Sequence, residues 1–239
     1  MADDDTKRLA VLIDADNVSP ATAADLFAEI VKYGTPTIRR AYGDWTTQNL
    51  AGWKQTLPRH AIQPIQQFAI RSGKNATDSS LIIDAMDVLY AGNVDGFVIV
   101  ASDSDYTRLA TRLREAGRTV YGIGRRDARR EYVNAFDRFI YLDLLGAEPA
   151  ELTQPPELEP LLRAAVGGTA KVDGWAILSA VGSYLSARNP GFDVRDYGFG
   201  KLGELVRAQD YVEVREVPGP AGLGQLHVRI PRSARGAGR

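Results

Sequence analysis

Two uninterrupted apolar runs, each ending abruptly in aspartate, constrain this chain more than any other feature. Phe97-Val98-Ile99-Val100-Ala101 stops at Ser102-Asp103-Ser104-Asp105, and Leu9-Ala10-Val11-Leu12-Ile13 stops at Asp14-Ala15-Asp16-Asn17. A strand that is apolar at every position and rich in β-branched residues is covered on both faces. Such strands belong to parallel sheets held between helices, where ligands bind in the crevice beyond the carboxyl ends of the strands. Both runs therefore carry carboxylates to the edge where chemistry is expected.

The intervening sequence alternates in the same style. Ser19-Pro20 reads as a cap and a first-turn proline ahead of a helix to Lys32, followed by a strand over 36–43. A helix follows, from about Asp44 to Leu57, then a short strand over 61–68 in which Pro64 favours an edge position. The polar loop Arg71 to Asp78 leads into a helix over 79–90, with Leu81, Ile82, Ala85, Met86 and Leu89 on one face. Asp78, three and four residues before Leu81 and Ile82, shares that inner face, whereas Asp84 and Asp87 are assigned to the outer one. A helix over 105–116, a strand over 118–123, a short helix over 131–136 and a strand over 139–142 complete an α/β pattern with a mostly parallel sheet. This first domain is taken as 1–145.

Residues 146–157, with three prolines, read as a semi-rigid linker. Beyond it, over 158–232, three helical stretches (158–166, 174–188 and 198–209) precede a hairpin of Tyr211–Arg215 and Leu226–Ile230, the order of a small winged-helix domain. Trp175, Leu178, Val181, Leu202 and Leu205 are expected in its core, and Tyr197, Phe199 and Lys201 are candidates to stack on bases or touch phosphate.

Composition narrows the chemistry. There are no cysteines, which excludes disulfides, thiolate zinc sites and cysteine nucleophiles, and two distant histidines, His60 and His227, make a His-rich metal site or a serine triad a poor fit. No stretch approaches a membrane span, and an acidic start without an apolar core lacks the form of a secretion signal, so a cytoplasmic protein is expected. The formal charge of -1 hides a basic segment: Arg108 to Arg130 holds eight arginines against Glu115 and Asp127, a patch suited to a polyanion that includes Arg125 and Arg126.

Asp14, Asp78, Asp103 and Asp105 arrive from three segments at one sheet edge. Carboxylates that close repel one another unless a cation neutralises them, and hard oxygen ligands select Mg2+ or Mn2+. Such an ion activates water and stabilises a phosphoryl oxygen while a phosphodiester is cut. Asn17 is placed to orient a phosphate or a metal-bound water, and Lys74 to touch phosphate. Ser102 and Ser104 are assigned to turn chemistry, and Asp16 has the wrong parity if the strand continues through it.

Three motifs in order, Asp14-x-x-Asn17, Gly73-Lys74-Asn75-x-x-Asp78 and Ser102-Asp103-Ser104-Asp105-Tyr106, resemble the NYN domain, a branch of the PIN-like nucleases. The resemblance spans about residues 7–145. It implies a Rossmann-like three-layer fold and a metal-dependent ribonuclease whose ligands are Asp14, Asp78, Asp103 and Asp105. The second domain, through Gly174-Trp175-Ala176-x-Leu178, Tyr197-Gly198-Phe199-Gly200-Lys201-Leu202-x-Glu204-Leu205 and Tyr211-Val212-Glu213-Val214, is similar to the OST-HTH, or LOTUS, winged helix, which implies RNA as partner. Self-association is left open. Two rival readings stand beside this one: a non-catalytic RNA-binding adaptor, and an aspartate-nucleophile phosphatase suggested by Asp14-x-Asp16-x-Val18.

Overall fold

The computed structural model describes residues 6–68, 76–145, 157–218 and 224–231. The chain divides into two compact units, Met1–Gly146 and Ala147–Arg239. The expected linker, apart from Glu157, and the Gly73-Lys74-Asn75 loop lie outside the described residues.

The first unit is built on six parallel strands: β1 (Arg8–Asp14), β2 (Thr35–Gly43), β3 (Gln63–Gln66), β4 (Gly96–Val100), β5 (Thr119–Gly124) and β6 (Arg138–Tyr141), in the spatial order β3-β2-β1-β4-β5-β6. Five helices connect them: α1 (Ala23–Ile30), α2 (Trp53–Arg59), α3 (Ala76–Ala91), α4 (Thr107–Glu115) and α5 (Arg130–Val133). The two apolar runs are the adjacent central strands, with Val11 beside Val98 and Ile13 beside Val100. Alternate residues serve opposite cores. Ala10, Leu12, Phe97 and Ile99 pack with α3, α4 and α5, whereas Leu9, Val11, Ile13, Val98 and Val100 pack with α1 and α2. Both faces being covered explains why the runs contain no polar residue. Truncating Leu12 or Ile99 to alanine costs about 2–5 kcal/mol.

The direction of the sheet turns from β1 to β2 and β3 on one side and from β4 to β5 and β6 on the other, so the crevice opens beyond the ends of β1 and β4. Asp14 is the last residue of β1, and Ser102-Asp103-Ser104 follows β4. Pro64 sits in the edge strand β3, where a missing donor is tolerated.

Several expected elements differ in form. Ser19 accepts a hydrogen bond from Ala21 N and starts a single 3-10 turn, Pro20–Thr22, ahead of α1. The segment after β2 forms a 3-10 turn (Gln48–Leu50) and then α2, whose last turn contains Pro58. Asp84 does not face outward: it accepts hydrogen bonds from the Arg40 guanidinium and the Tyr42 hydroxyl of β2. Lying three residues after Leu81, it flanks the buried stripe of α3 rather than opposing it. Asp87 is exposed, as expected.

The second unit has α6 (Leu158–Thr169), α7 (Leu178–Arg188), α8 (Leu202–Arg207) and an antiparallel sheet in the order β7 (Ala176–Ile177), β9 (Gly224–Arg229), β8 (Glu213–Pro218). Leu162, Val166, Val181, Leu185, Val206 and Val228 form its core. The stretch expected as helix from Gly174 instead supplies β7, whose two residues pair with Val228 and His227. Likewise the helix expected from Gly198 begins at Leu202, because Gly198 takes a left-handed backbone (φ 80°) that closes the turn Val194–Tyr197.

Candidate metal centre

One carboxylate oxygen each from Asp78, Asp103 and Asp105 lies within 4.8 Å of the others. The first comes from the opening turn of α3 and the other two from the turn after β4. Asp103 caps that turn, its Oδ1 accepting from Asp105 N at 2.9 Å, so the capping and clustering functions coincide in one side chain. Repulsion among charges this close is worth about 1 kcal/mol per pair in water and about 4 kcal/mol where screening is weaker.

Asp14, the last residue of β1 and an expected fourth ligand, is fully buried and lies outside that group of three. Its Oδ2 accepts from Asn17 Nδ2 at 2.9 Å, whereas its Oδ1 is buried with no hydrogen-bond partner. Desolvation, opposed by the Asn17 hydrogen bond and reinforced by the charges of Asp78 and Asp16, pushes its pKa up to about 6. The Asp78 carboxyl is also pushed upward, by desolvation first, against the Tyr106 hydrogen bond and with the charges of Asp103, Asp105 and Asp16. Three converging carboxylates are a hard-oxygen donor set of the kind a divalent cation takes, and Asp14, although the charge of Asp78 acts on it, is not among those three. The residues present therefore fit Mg2+ or Mn2+.

Two supporting residues were not anticipated. Tyr106 is fully buried, and its hydroxyl donates to Asp78 Oδ1 at 2.5 Å, fixing that carboxylate. Its signal in the sequence was an aromatic directly after Ser-Asp-Ser-Asp, since a buried phenol needs a polar partner. Asp16 also belongs to the surroundings of the site. The strand ends at Asp14, so parity no longer applies, and Asp16 Oδ2 accepts from Thr77 Oγ1 at the start of α3 (2.9 Å). Gly43 lies against it as well as against Leu50: a Cβ there would come within 2.5 Å of Leu50 Cδ1 and 3.1 Å of Asp16 Oδ1.

The residues expected to contact RNA are dispersed. Lys74 lies outside the described residues. Arg125 is exposed and pairs with Asp127 at 3.1 Å, and its backbone N–H donates to Ser102 Oγ at 2.8 Å. Arg126 is drawn onto the domain, with Nε on Asp143 Oδ2 at 2.8 Å and its guanidinium 4.5 Å from the Tyr141 ring centre. In the second unit Lys201 is exposed, whereas Tyr197 is half-buried against Phe192, its hydroxyl pKa pushed up to about 12 by burial. Trp175, expected in the core, lies instead beneath two guanidinium groups, Arg215 at 4.0 Å and Arg229 at 4.8 Å from its ring centre.

With this geometry in view, the NYN domain model matches residues 8–143. The chain belongs to the NYN domain family. A second model, the OST-HTH/LOTUS domain, matches residues 153–223. Together the two point to a nuclease-type protein that works on RNA. Among solved structures, a protein of unknown function from Vibrio parahaemolyticus shares the fold at 17% identity and a TM-score of 0.50, over 59% of this chain and 96% of its own. An uncharacterized protein from Nitrosomonas europaea is 30% identical over 39% of this chain and 96% of its own, with a TM-score of 0.31. A Chromobacterium violaceum protein is 33% identical over 33% of this chain and 85% of its own, with a TM-score of 0.28. No curated protein matches. No helix among the described residues is long and apolar enough to cross a membrane.

Proposed function

We propose that this NYN protein is a metal-dependent ribonuclease whose Asp14, Asp78, Asp103 and Asp105 hold Mg2+ or Mn2+, with the OST-HTH/LOTUS domain binding RNA. The observation that carries this reading is the convergence of the Asp78, Asp103 and Asp105 carboxylates within 4.8 Å; the buried Asp14 Oδ1, which has no hydrogen-bond partner, supports including Asp14 with them. A divalent cation bound there neutralises charge on a phosphoryl oxygen and acidifies water. The chain's own residues supply the rest. Asn17 and Tyr106 fix the carboxylates of Asp14 and Asp78, and the Asp105 amide fixes Asp103. Arg125 draws the polyanionic strand toward them. In the second domain Lys201 and Tyr197 are the proposed RNA contacts.

Incubating the full chain with single-stranded and structured RNA in Mg2+, Mn2+ or EDTA tests this directly. Cleavage with either metal, none in EDTA and none with Asp14→Asn is the expected result. RNA binding with no cleavage in any condition makes the protein an adaptor, and a trapped aspartyl-phosphate analogue on Asp14 makes it a phosphatase.

A further inference from the structure

A separate cavity of about 270 Å3 opens beyond the ends of β1, β4 and β5 and meets the carboxylate cluster at Asp103. Asn17, Ser102, Ser104, Arg125, Asp127 and Arg129 line it together with Asp103. Two arginines, two hydroxyls and an amide among its lining are the groups an anion would use, and the two carboxylates that share the lining are accounted for, Asp103 as a member of the cluster and Asp127 as the partner of Arg125. Ser102 Oγ accepts the Arg125 backbone N–H at 2.8 Å, which leaves its own proton to donate to a ligand. That bond exists because residue 124 is glycine, since a Cβ there would come within 2.5 Å of Ala101 O and 3.2 Å of Ser102 Oγ. A volume just below that of most ligand pockets, roughly 300–1,000 Å3, suits one phosphoryl group with part of its sugar.

Asp127 gives the cavity its resting state. Its carboxylate is 73% exposed and holds Arg125 Nε at 3.1 Å. An exposed pair of this kind is weak, whereas a phosphate engaging a guanidinium in two parallel hydrogen bonds interacts more strongly. We propose that the Ser102–Ser104–Arg125–Arg129 cavity is a subsite for a nucleotide phosphate of the substrate strand, one phosphate away from the bond that faces the carboxylates, and that Asp127 holds Arg125 until that phosphate displaces it. The identity of the ligand rests on the ribonuclease reading. The cavity itself does not depend on the cation.

The test is NMR titration of the 15N-labelled full chain in EDTA, where no cutting occurs, following the Arg125 amide that donates to Ser102. The probes are inorganic phosphate, the dinucleotide UpU and its 5′-phosphorylated form pUpU. A saturable shift of that amide is expected. Arg129→Ala weakens binding about tenfold through loss of a charge-assisted hydrogen bond. Asp127→Asn tightens it roughly two- to fivefold by freeing Arg125. Arg59→Ala, an exposed arginine at the opposite sheet edge, leaves it unchanged. Equal binding of UpU and pUpU assigns the subsite to an internal phosphodiester, and binding of pUpU alone to a terminal monoester. An Arg125 amide unmoved by all three probes, or an affinity the same in Arg129→Ala as in the parent, overturns the proposal, and the spectrum itself shows whether each variant is folded. Because cleavage is not read, loss of the subsite and loss of the ribonuclease reading are separate results.

Discussion

The two edges of the parallel sheet use the same residue type in opposite ways. At the amino-terminal edge, ahead of β4 and β6, Asp95 accepts from Arg8 N (2.8 Å) and Arg8 Nε (3.1 Å), and Asp137 accepts from Val120 N (2.8 Å) and Arg114 Nε (2.9 Å). Each of these carboxylates has a backbone donor and an arginine, and the Arg8 hydrogen bonds hold the Asp95 pKa down at about 2. At the carboxyl edge Asp14 and Asp78 have neutral partners, Asn17 and Tyr106, and their pKa values are raised. An aspartate that ties elements together comes with its cation supplied by the chain. At the other edge Asp14 and Asp78 are held by neutral groups instead, the contrast on which the proposed metal site rests.

The largest effect that would break this contrast is on chemistry. Asp103→Asn is expected to lower RNA cleavage by roughly 10²–10³-fold, the scale of losing one preorganised electrostatic contact to the transition state. Asp95→Asn should leave the rate per folded molecule unchanged, which gel-based kinetics at saturating Mn2+ would show.

Stability sharpens the contrast next, because the two edges respond to pH with opposite sign. The Asp14 pKa rises on folding from 3.8 to about 6, so its favourable contribution is complete below pH 3.8 and is lost as pH climbs through 6. In metal-free protein, Asp14→Asn should therefore gain about 2–3 kcal/mol at pH 7, judged by denaturant unfolding in EDTA. The Asp95 pKa falls on folding to about 2, so its contribution is complete above 3.8 and is lost as pH drops toward 2. Asp95→Asn should lower the midpoint of unfolding at pH 7 and leave it unaffected near pH 2.

Much of this arrangement was legible from sequence because it follows from burial. Strands β1 and β4 announce themselves by their unbroken apolar runs, Leu9–Ile13 and Phe97–Val100, and the aspartates that follow those runs fall at the crevice for the same reason. What escaped depends on contacts between distant segments. An outward placement of Asp84 fails because nothing local reveals that Arg40 and Tyr42 lie beneath it. The parity that turns Asp16 away from the site fails because the strand stops at Asp14. Trp175 reads as core in any hydropathy argument, yet Arg215 and Arg229 come from strands some 40 and 54 residues onward to cover it. Tyr106 needed knowledge of where its hydroxyl points.

Smaller effects refine the picture. Tyr106→Phe removes the donor that holds Asp78 Oδ1 and should reduce Mn2+ affinity or activity by about 10–100-fold, as loss of an outer partner of a metal ligand does. Its structural cost is read separately by thermal unfolding. Smallest of all, Lys201→Ala in the winged domain should weaken RNA binding evenly across sequences and reduce the salt slope by about 1, measured by fluorescence anisotropy in EDTA.

Binding of Mn2+ followed by electron paramagnetic resonance in the absence of RNA examines the cluster without relying on turnover. Saturable binding by the parent chain, abolished in both Asp78→Asn and Asp103→Asn and retained in Asp95→Asn, is what the convergence of these carboxylates predicts. A parent chain that leaves Mn2+ free, or one whose binding survives both substitutions, would contradict it.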